Sequence, residues 1–332
     1  MSYADYKFVT NCRNILSDSG ISDEGFDVRP RWSDGTPAHT RKLLYVQDRY
    51  MLAKDSIPVM TLRKTGFKNA IDEILWIYQK KTSELSELHS HIWDSWDVGD
   101  GTIGKAYGYQ IGKKARHHKY RSGEDLTGID HFVDINDWVW MSQTDAVLWD
   151  LKNNPSSRSI MTNTYNHEDL SYMGLRPCAY SMHYIVTKNV DGQMVLNGKL
   201  IQRSQDMLTA NNWNVVQYSV LLQMFAQVTG MVPGLFVHEV ADMHIYDRHI
   251  PIVREMIDRY SDCVHQARRD STTGEYNVFT KHDMDLIENI PHPNPKFWIN
   301  PDIHNFYAFT TDDFKLIDYE YEPFDHKIEV AV

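Results

Sequence analysis

The spacing of apolar residues along the chain predicts two helices of the core. Over residues 67–81, apolar side chains recur every three or four positions, which is typical of an amphipathic helix. Residues 215–229 are more uniformly apolar and predict a buried helix, with Gly230 as a suitable C-cap directly after it. One core helix is therefore expected in each half of the chain.

Three other segments have the pattern of β-strands. Residues 179–187 and 194–203 are predicted to pair around a turn at Asp191-Gly192. Residues 235–246 alternate apolar and polar positions well enough to form another strand. Helices and strands mix without strict alternation, so an α+β fold is favoured over a doubly wound sheet.

The chain is expected to form a single domain over residues 1–332, because no internal repeat or long linker divides it. Residues 264–292 are polar and irregular, and they predict a surface insertion. A hydrophobic fraction of 42% and a charged fraction of 24% are ordinary for a globular protein.

The net charge and the length of the apolar runs argue against some classes of binding partner. The net charge of −11 argues against nucleic acid as the main partner, although a local arginine cluster could still bind a small anion. No apolar run approaches the length of a membrane span, and the first residues have no secretory pattern. A cytoplasmic protein without a membrane partner is therefore expected.

The chain has three cysteines, Cys12, Cys178 and Cys263, and their spacing is not that of metal ligands or a disulfide framework. No metal is expected. An isolated cysteine is ordinarily a buried, inert thiol. Cys178 differs, because it follows Pro177 and because an arginine-bearing strand is predicted to pair alongside. A nearby guanidinium would favour the thiolate, which is the attacking form.

Several basic and hydroxyl side chains could bind a phosphate. Arg203 and Ser204 offer a forked cation and a hydroxyl that match phosphate oxygens, whereas a surface ion pair is the ordinary alternative. Arg29 and Arg158 could contact the same anion. A phosphorylated small molecule is the ligand that this group predicts.

Polar residues in the second half of the chain could recognise a nucleoside. The amide of Asn214 can pair with a pyrimidine edge that presents a carbonyl and an N–H, although a helix N-cap is the alternative. His244 and Tyr246 are two residues apart, so on a strand they face the same side and could contact a ribose. A half-buried polar pair at a strand end is the alternative for them.

Residues of the first half could line the same cleft. Glu73 lies in an apolar stretch of a predicted helix, where a carboxyl can be tuned for proton transfer, unless it is simply an exposed acid. Trp93 and Trp96 could stack on a flat ligand, although core packing is the usual role of tryptophan.

These residues belong to short motifs that occur in a fixed order along nearly the whole chain. The motifs are Asp27-Val28-Arg29, Asp34-Gly35-Thr36, Glu73-Ile74-Leu75-Trp76, Ile92-Trp93-Asp94-Ser95-Trp96, Ala106-Tyr107-Gly108, Asn154-Pro155-Ser156-Ser157-Arg158, Pro177-Cys178, Gln202-Arg203-Ser204-Gln205-Asp206, Asn214, Asp242-Met243-His244-Ile245-Tyr246 and Val330-Ala331-Val332. Each is weak alone, but their order and spacing closely resemble the folate-dependent thymidylate synthases that use a cysteine nucleophile.

The resemblance implies a fold and a reaction. The fold would be α+β, with a large mixed sheet packed against helices and one sheet face forming a homodimer interface. The substrate would be dUMP, with 5,10-methylenetetrahydrofolate as co-substrate and no metal. Cys178 would attack C6 of the uracil, C5 would take the one-carbon unit, and hydride from the same folate would give dTMP and dihydrofolate.

The resemblance also assigns roles position by position. Glu73 would organise proton transfer through water, and Tyr107 would help remove the C5 proton and orient the nucleophile. The nucleotide contacts would be Arg29, Arg203 and Ser204 at the phosphate, Arg158 at the phosphate in the partner subunit's site, Asn214 at the uracil, and His244 and Tyr246 at the ribose. The folate contacts would be Asp206, which borders both ligands, with Trp93, Trp96, Trp213, Ala331 and Val332.

Four departures from the family pattern lie in or near the expected site. Ser159 stands where the family has a second arginine, Ala179 where it has histidine, and Ala241 where it has glycine. Residues 210–213 lack the usual glycine and proline and place Trp213 where phenylalanine is usual. These changes reshape the expected folate wall and remove a phosphate cation.

Three alternatives follow from these departures and from the family's range. The first is a dUMP hydroxymethylase, which adds water where the synthase adds hydride; the retained Trp93 and the tail ending at Val332 favour methylation. A cytidylate enzyme is disfavoured because Asn214 is not aspartate. A non-catalytic RNA-binding relative is disfavoured by the retained Cys178 and Glu73 and by the negative charge.

Overall fold

The computed structural model describes residues 1–270 and 295–332 of the chain. Short 3₁₀ turns connect many of the longer elements in these ranges. The α-helices of the described part are α1 (Tyr3–Leu16), α2 (Phe67–Leu75), α3 (Gly108–Gly112), α4 (Gln143–Asn153), α5 (Asn211–Val228) and α6 (Ile250–Asp270).

The strands form one large sheet and two small ones. The strands are β1 (Ile21–Ser22), β2 (Thr40–Met51), β3 (Ala115–Lys119), β4 (His131–Val133), β5 (Trp138–Met141), β6 (Met161–Asn163), β7 (Ala179–Lys188), β8 (Met194–Gln202), β9 (Gln205–Asp206), β10 (Val232–Tyr246), β11 (Lys296–Ile299) and β12 (Phe314–Ile317). In the two small sheets, β11 pairs with β12, and β5 lies between β3 and β4.

The large sheet has the strand order β1-β2-β10-β8-β7-β6, with β9 also beside β10. Strand β10 runs antiparallel to β2 but parallel to β8 and β9, so the sheet is mixed. The hairpin β7–β8 and the long β10 confirm the three predicted strands. Gly192 turns the hairpin with a φ of 78°, a left-handed conformation that favours glycine. The predicted α+β fold with a large mixed sheet is confirmed.

The helix predicted over residues 67–81 is confirmed, with a change of geometry along its length. It is α-helical as α2 and then continues as a π-helical turn over Trp76–Lys80. Lys81 ends it with a φ of 57°. Ile71 and Ile74 are fully buried, so the apolar face packs inward as the periodicity requires.

Helix α5 begins at Asn211, not at residue 215 as the apolar pattern suggested. The difference has a tertiary cause, because the Asn212 side chain accepts hydrogen bonds from Met60 N (3.0 Å) and Thr65 Oγ1 (2.7 Å). Its C-terminus follows the prediction: Gly230 has a φ of 70°, and Met231 N donates to the carbonyl of Ala226 at 2.8 Å. Gly230 and this hydrogen bond belong to a Schellman motif, the common glycine C-cap of a helix.

The main core lies where α2 and α5 pack against β7, β8 and the first half of β10. A second apolar cluster joins α1 and α6 to the second half of β10. The first residues of the predicted insertion over 264–292 are helical, because α6 continues to Asp270. The rest of that segment lies outside the described residues, so the insertion stays a prediction. No helix in the described ranges is both long and apolar enough to cross a membrane.

Candidate active site

A cavity of about 340 Å³ opens between α2, α5 and the start of β7. Its volume lies within the range of small-molecule sites. Aromatic and aliphatic side chains dominate its wall, with a few polar groups among them. The lining residues are Glu73, Ile77, Ile92, Trp93, Trp96, Tyr107, Leu175, Cys178, Ala179, Thr209, Ala210, Trp213, Asn214, Gln217, Tyr218 and Val330.

Cys178 lies at the cavity wall, directly before β7, and Arg203 is held beside it. The backbone N–H of Arg203 donates to the carbonyl of Cys178 at 3.0 Å. The guanidinium donates to the carbonyls of Pro177 (3.0 Å) and Arg176 (2.7 Å). Burial raises the pKa of the Cys178 thiol, while the positive charges of Arg203 and Arg29 oppose that rise. The expected guanidinium is present, but in the single chain desolvation outweighs it.

Tyr107 also contacts the segment that carries Cys178. Its hydroxyl oxygen accepts a hydrogen bond from the backbone N–H of Cys178 at 3.0 Å. The residue has a φ of 40°, which is costly for a side chain of this size and is characteristic of functional sites. Burial raises its pKa, so the hydroxyl keeps its proton as a donor at neutral pH.

Glu73 reaches the cavity from the last turn of α2 and is only 5% exposed. Its Oε2 accepts a hydrogen bond from the indole N–H of Trp213 at 2.8 Å. Burial raises the pKa of Glu73 to about 7, against the lowering effect of Trp213 and Gln217. A carboxyl that titrates near neutral pH suits general acid and base chemistry.

Asn214 lies in the first turn of α5, so its alternative role as the helix N-cap is wrong; Ala210 occupies the cap position. The Asn214 amide donates to Gln217 Oε1 at 2.9 Å and accepts from Gln202 Nε2 at 3.3 Å. Gln217 was missed in the sequence, although it follows Asn214 at helical spacing. The two glutamines fix which end of the amide is the donor.

The polar residues of β10 form a connected chain. His244 Nδ1 lies 2.8 Å from Asp242 Oδ1, and the other Asp242 oxygen accepts from Lys42 Nζ at 2.8 Å. The rings of His244 and Tyr246 meet edge to face with centroids 5.0 Å apart. The two residues therefore share one side of the strand, as their spacing indicates. Neither of them lines the cavity described above.

Asp206 lies on β9 beside His244, with its carboxylate already engaged. It accepts hydrogen bonds from Leu208 N (2.9 Å) and Thr209 Oγ1 (2.6 Å). Burial opposes ionisation, but His249 and the charge of His244 lower the pKa of Asp206 overall. The carboxylate thus holds the turn that presents Thr209 and Ala210 to the cavity.

The last residues of the chain are anchored over the site. The backbones of Val332 and Arg31 exchange two hydrogen bonds, at 2.8 and 3.0 Å. Glu329 accepts from Ser33 N at 3.0 Å and pairs with Arg248 at 3.2 Å. Val330, not the predicted Ala331 or Val332, lines the cavity.

None of the four predicted phosphate ligands, Arg29, Arg158, Arg203 and Ser204, lines the cavity. Arg29 is exposed, yet its charge acts on both Cys178 and Tyr246. Ser204 follows Arg203 and is half-buried. Arg158 is exposed in the turn before β6, where its carbonyl contacts His183 Nε2 at 2.9 Å, and it is not part of the cavity wall. Across the residues that the structure describes, no group of three or more acidic, His or Cys side chains is placed to hold a metal ion.

Comparison with known proteins places this site in a family. The sequence model described as thymidylate synthase matches residues 6–294. The chain belongs to the thymidylate synthase family. Thymidylate synthases from Bacillus licheniformis and Bacillus phage phi3T are 39% and 38% identical over 325 residues, covering 97% of this chain and 96% of theirs.

A solved structure agrees with the sequence comparison. The thermostable thymidylate synthase A from Bacillus subtilis superposes with a TM-score of 0.75 at 36% identity, covering 99% of both chains. The resemblance predicted from the motifs is therefore confirmed at the level of family and fold. The departures at Ser159, Ala179, Ala241 and residues 210–213 are differences within a thymidylate synthase scaffold.

Proposed function

We propose that the protein converts dUMP to dTMP with 5,10-methylenetetrahydrofolate as one-carbon donor. The observation that carries the proposal is a single cavity into which Cys178, Glu73, Tyr107 and Asn214 all project. Covalent chemistry on a uracil needs a nucleophile, a group that carries protons, a hydroxyl donor and an amide that recognises the base. The relatives that share nearly the full length of the chain are named thymidylate synthases.

Cys178 supplies the nucleophile in this proposal. Its sulfur attacks C6 of the uracil as the thiolate, which places negative charge on the ring toward O4. Arg203, fixed by two main-chain carbonyls beside the thiol, opposes the burial that favours the protonated form. With Arg29 and Ser204 it would bind the phosphate of dUMP, while His244 and Tyr246 would contact the ribose.

Asn214 would recognise the base. Its Nδ2 would donate to O4, where charge develops, and its Oδ1 would accept from N3–H. Gln202 and Gln217 already hold the amide in one orientation, so recognition does not need a flip of the side chain. Preorganised donors of this kind lower the barrier because they need no rearrangement during the reaction.

The aromatic part of the cavity fits the flat ring of a folate. Trp93, Trp96 and Trp213 lie on its wall with the aliphatic Leu175 and Val330. Bound there, the folate supplies the one-carbon unit and the hydride. Glu73 would move protons through water, Tyr107 would assist at C5, and Asp206 would hold the pterin together with Ala331 and Val332. The anchored tail would exclude water, which favours methylation over hydroxymethylation.

A homodimer completes the proposed site. Tyr45 and Met51 on strand β2 are 81% and 76% exposed, which leaves an apolar sheet surface uncovered in the single chain. Arg158 would then bind the phosphate in the partner subunit's site. We also propose a cytoplasmic location, because a catalytic thiol at Cys178 needs a reducing compartment.

Subunit mixing tests the shared site. Arg158→Ala and Cys178→Ser proteins should each be nearly inactive alone. Mixed and allowed to exchange subunits, they should regain about a quarter of wild-type turnover, because each hybrid dimer holds one complete site. If the mixture stays inactive while hybrid dimers form, Arg158 does not act across the interface.

Product analysis tests the reaction itself. Incubation with dUMP and 5,10-methylenetetrahydrofolate should give dTMP and dihydrofolate in equal amounts, followed by dihydrofolate absorbance and by chromatography of the nucleotides. Hydroxymethyl-dUMP with tetrahydrofolate would instead identify the hydroxymethylase. No conversion of dUMP by well-folded protein would refute both functions.

A further inference from the structure

Trp213 contacts Glu73 in a way that its place on the folate wall does not require. It lies in the first turn of α5, and its indole N–H reaches across to Glu73 Oε2 on α2 at 2.8 Å. The ring is half-buried, and one side of it lines the cavity. A wall residue needs only an apolar face, so the directed N–H is a second property of this side chain.

Gly66 leaves room for the Trp213 ring in the position from which it donates a hydrogen bond to Glu73. A Cβ atom at Gly66 would lie 2.7 Å from Cζ3 of Trp213, which is closer than real contacts allow. Gly66 has a φ of −71°, so its own backbone conformation does not require glycine. Glycine is required there because a Cβ atom would displace the indole ring of Trp213. Gly66 also caps the helix that carries Glu73, so the ring packs against the start of the helix it holds.

Other groups around Glu73 leave Trp213 as its well-formed hydrogen-bond donor. The titratable groups that face it are Asp72 from α2, Tyr107 from the segment before α3 and Tyr218 from α5. Asp72 disfavours the Glu73 charge, and the two tyrosines are neutral at physiological pH. The side-chain nitrogens of Gln217 and Trp93 are buried near Glu73 and also lower its pKa, but neither forms a hydrogen bond of ordinary geometry within the described part of the chain.

We propose that Trp213 is a positioning residue for Glu73, whose carboxylate it fixes at the cavity wall and keeps available in its ionised form for proton transfer. This inference rests on the proposed function, because Glu73 has its role there. A hydrogen bond to a charged acceptor is among the stronger single interactions in proteins. Without that hydrogen bond, burial would raise the pKa of Glu73 further, and the carboxyl would stay protonated to a higher pH.

The variant Trp213→Phe removes the N–H and keeps most of the apolar wall. We expect the acid limb of the pH profile of kcat/KM to move upward by about one pH unit, with activity recovering at higher pH. Trp96→Phe is the matched control, because it removes an indole from the same wall without a bond to Glu73. It should raise the KM for folate and leave the acid limb in place.

A measurement without turnover separates this inference from the proposed function. Infrared titration of the ligand-free protein, with Glu73→Gln used to identify the carboxyl band, should show Glu73 ionising about one pH unit higher in Trp213→Phe. Gly66→Ala, which pushes the ring away, should shift the band in the same direction. An unchanged titration in folded Trp213→Phe overturns the inference, whereas absent dTMP formation by wild type overturns only the function.

Discussion

The buried carboxyl of Glu73 makes the stability of the fold depend on pH. Burial raises its pKa from 4.5 to about 7. An acid with a higher pKa in the folded chain binds its proton more tightly when folded, so its stabilising contribution is complete below pH 4.5 and is lost as the pH rises through 7. The gap between the two pKa values corresponds to roughly 3 kcal/mol of free energy of unfolding.

Glu73→Gln removes this titration but keeps the size of the side chain and an oxygen that can accept from Trp213. We expect the variant to gain stability over wild type as pH rises, by roughly 3 kcal/mol between about pH 4.5 and about pH 8.5. The same change should abolish most turnover, because the proton carrier is lost. A residue kept at such a cost to stability is typical of an active site.

Urea unfolding at a series of pH values, at one protein concentration, measures the effect. Glu168→Gln is the matched control, because it makes the same change of residue type at an exposed position that does not line the cavity. A stability difference between Glu73→Gln and wild type that stays constant from acid to alkaline pH would refute the reasoning, since it would mean that Glu73 titrates alike in both states.

Three other changes test separate parts of the account. Asn214→Asp should shift preference from dUMP toward dCMP, because a carboxylate accepts where the amide donates; an unchanged ratio of kcat/KM values would remove Asn214 from base recognition. Gly230→Ala should lower the free energy of unfolding by about 1 kcal/mol, since its φ of 70° suits glycine, and no loss in urea would contradict the cap. Glu329→Gln should raise the KM for folate by weakening the contact with Arg248; unchanged kinetics would show that this anchor is dispensable.

Local sequence patterns predicted the elements well where local interactions decide them. The hairpin β7–β8 follows from alternation and a glycine turn, and the end of α5 follows from Gly230. The start of α5 was missed because Asn212 is held by side-chain bonds to residues distant in sequence. Apolar periodicity cannot detect such contacts, since they depend on how segments that are far apart meet.

The candidate site shows the same division. The motifs supplied the residue types of the cavity, including Cys178, Glu73 and Asn214, and the comparisons confirm the family that they predicted. The geometry of the site could not be predicted from the sequence. The positive φ of Tyr107 and the hydrogen bond between Trp213 and Glu73 have no signature in composition or spacing. The assigned roles of the site residues stay predictions until the variants are measured.

Trapping the covalent bond at Cys178 tests the central claim most directly. The protein is incubated with 5-fluoro-dUMP and 5,10-methylenetetrahydrofolate, then digested and analysed by mass spectrometry. We predict a peptide containing Cys178 that carries both ligands, and its absence from the Cys178→Ser protein, because fluorine at C5 blocks the proton loss that completes the reaction. Folded wild-type protein that binds both ligands but forms no adduct, or forms it on another residue, would contradict the account.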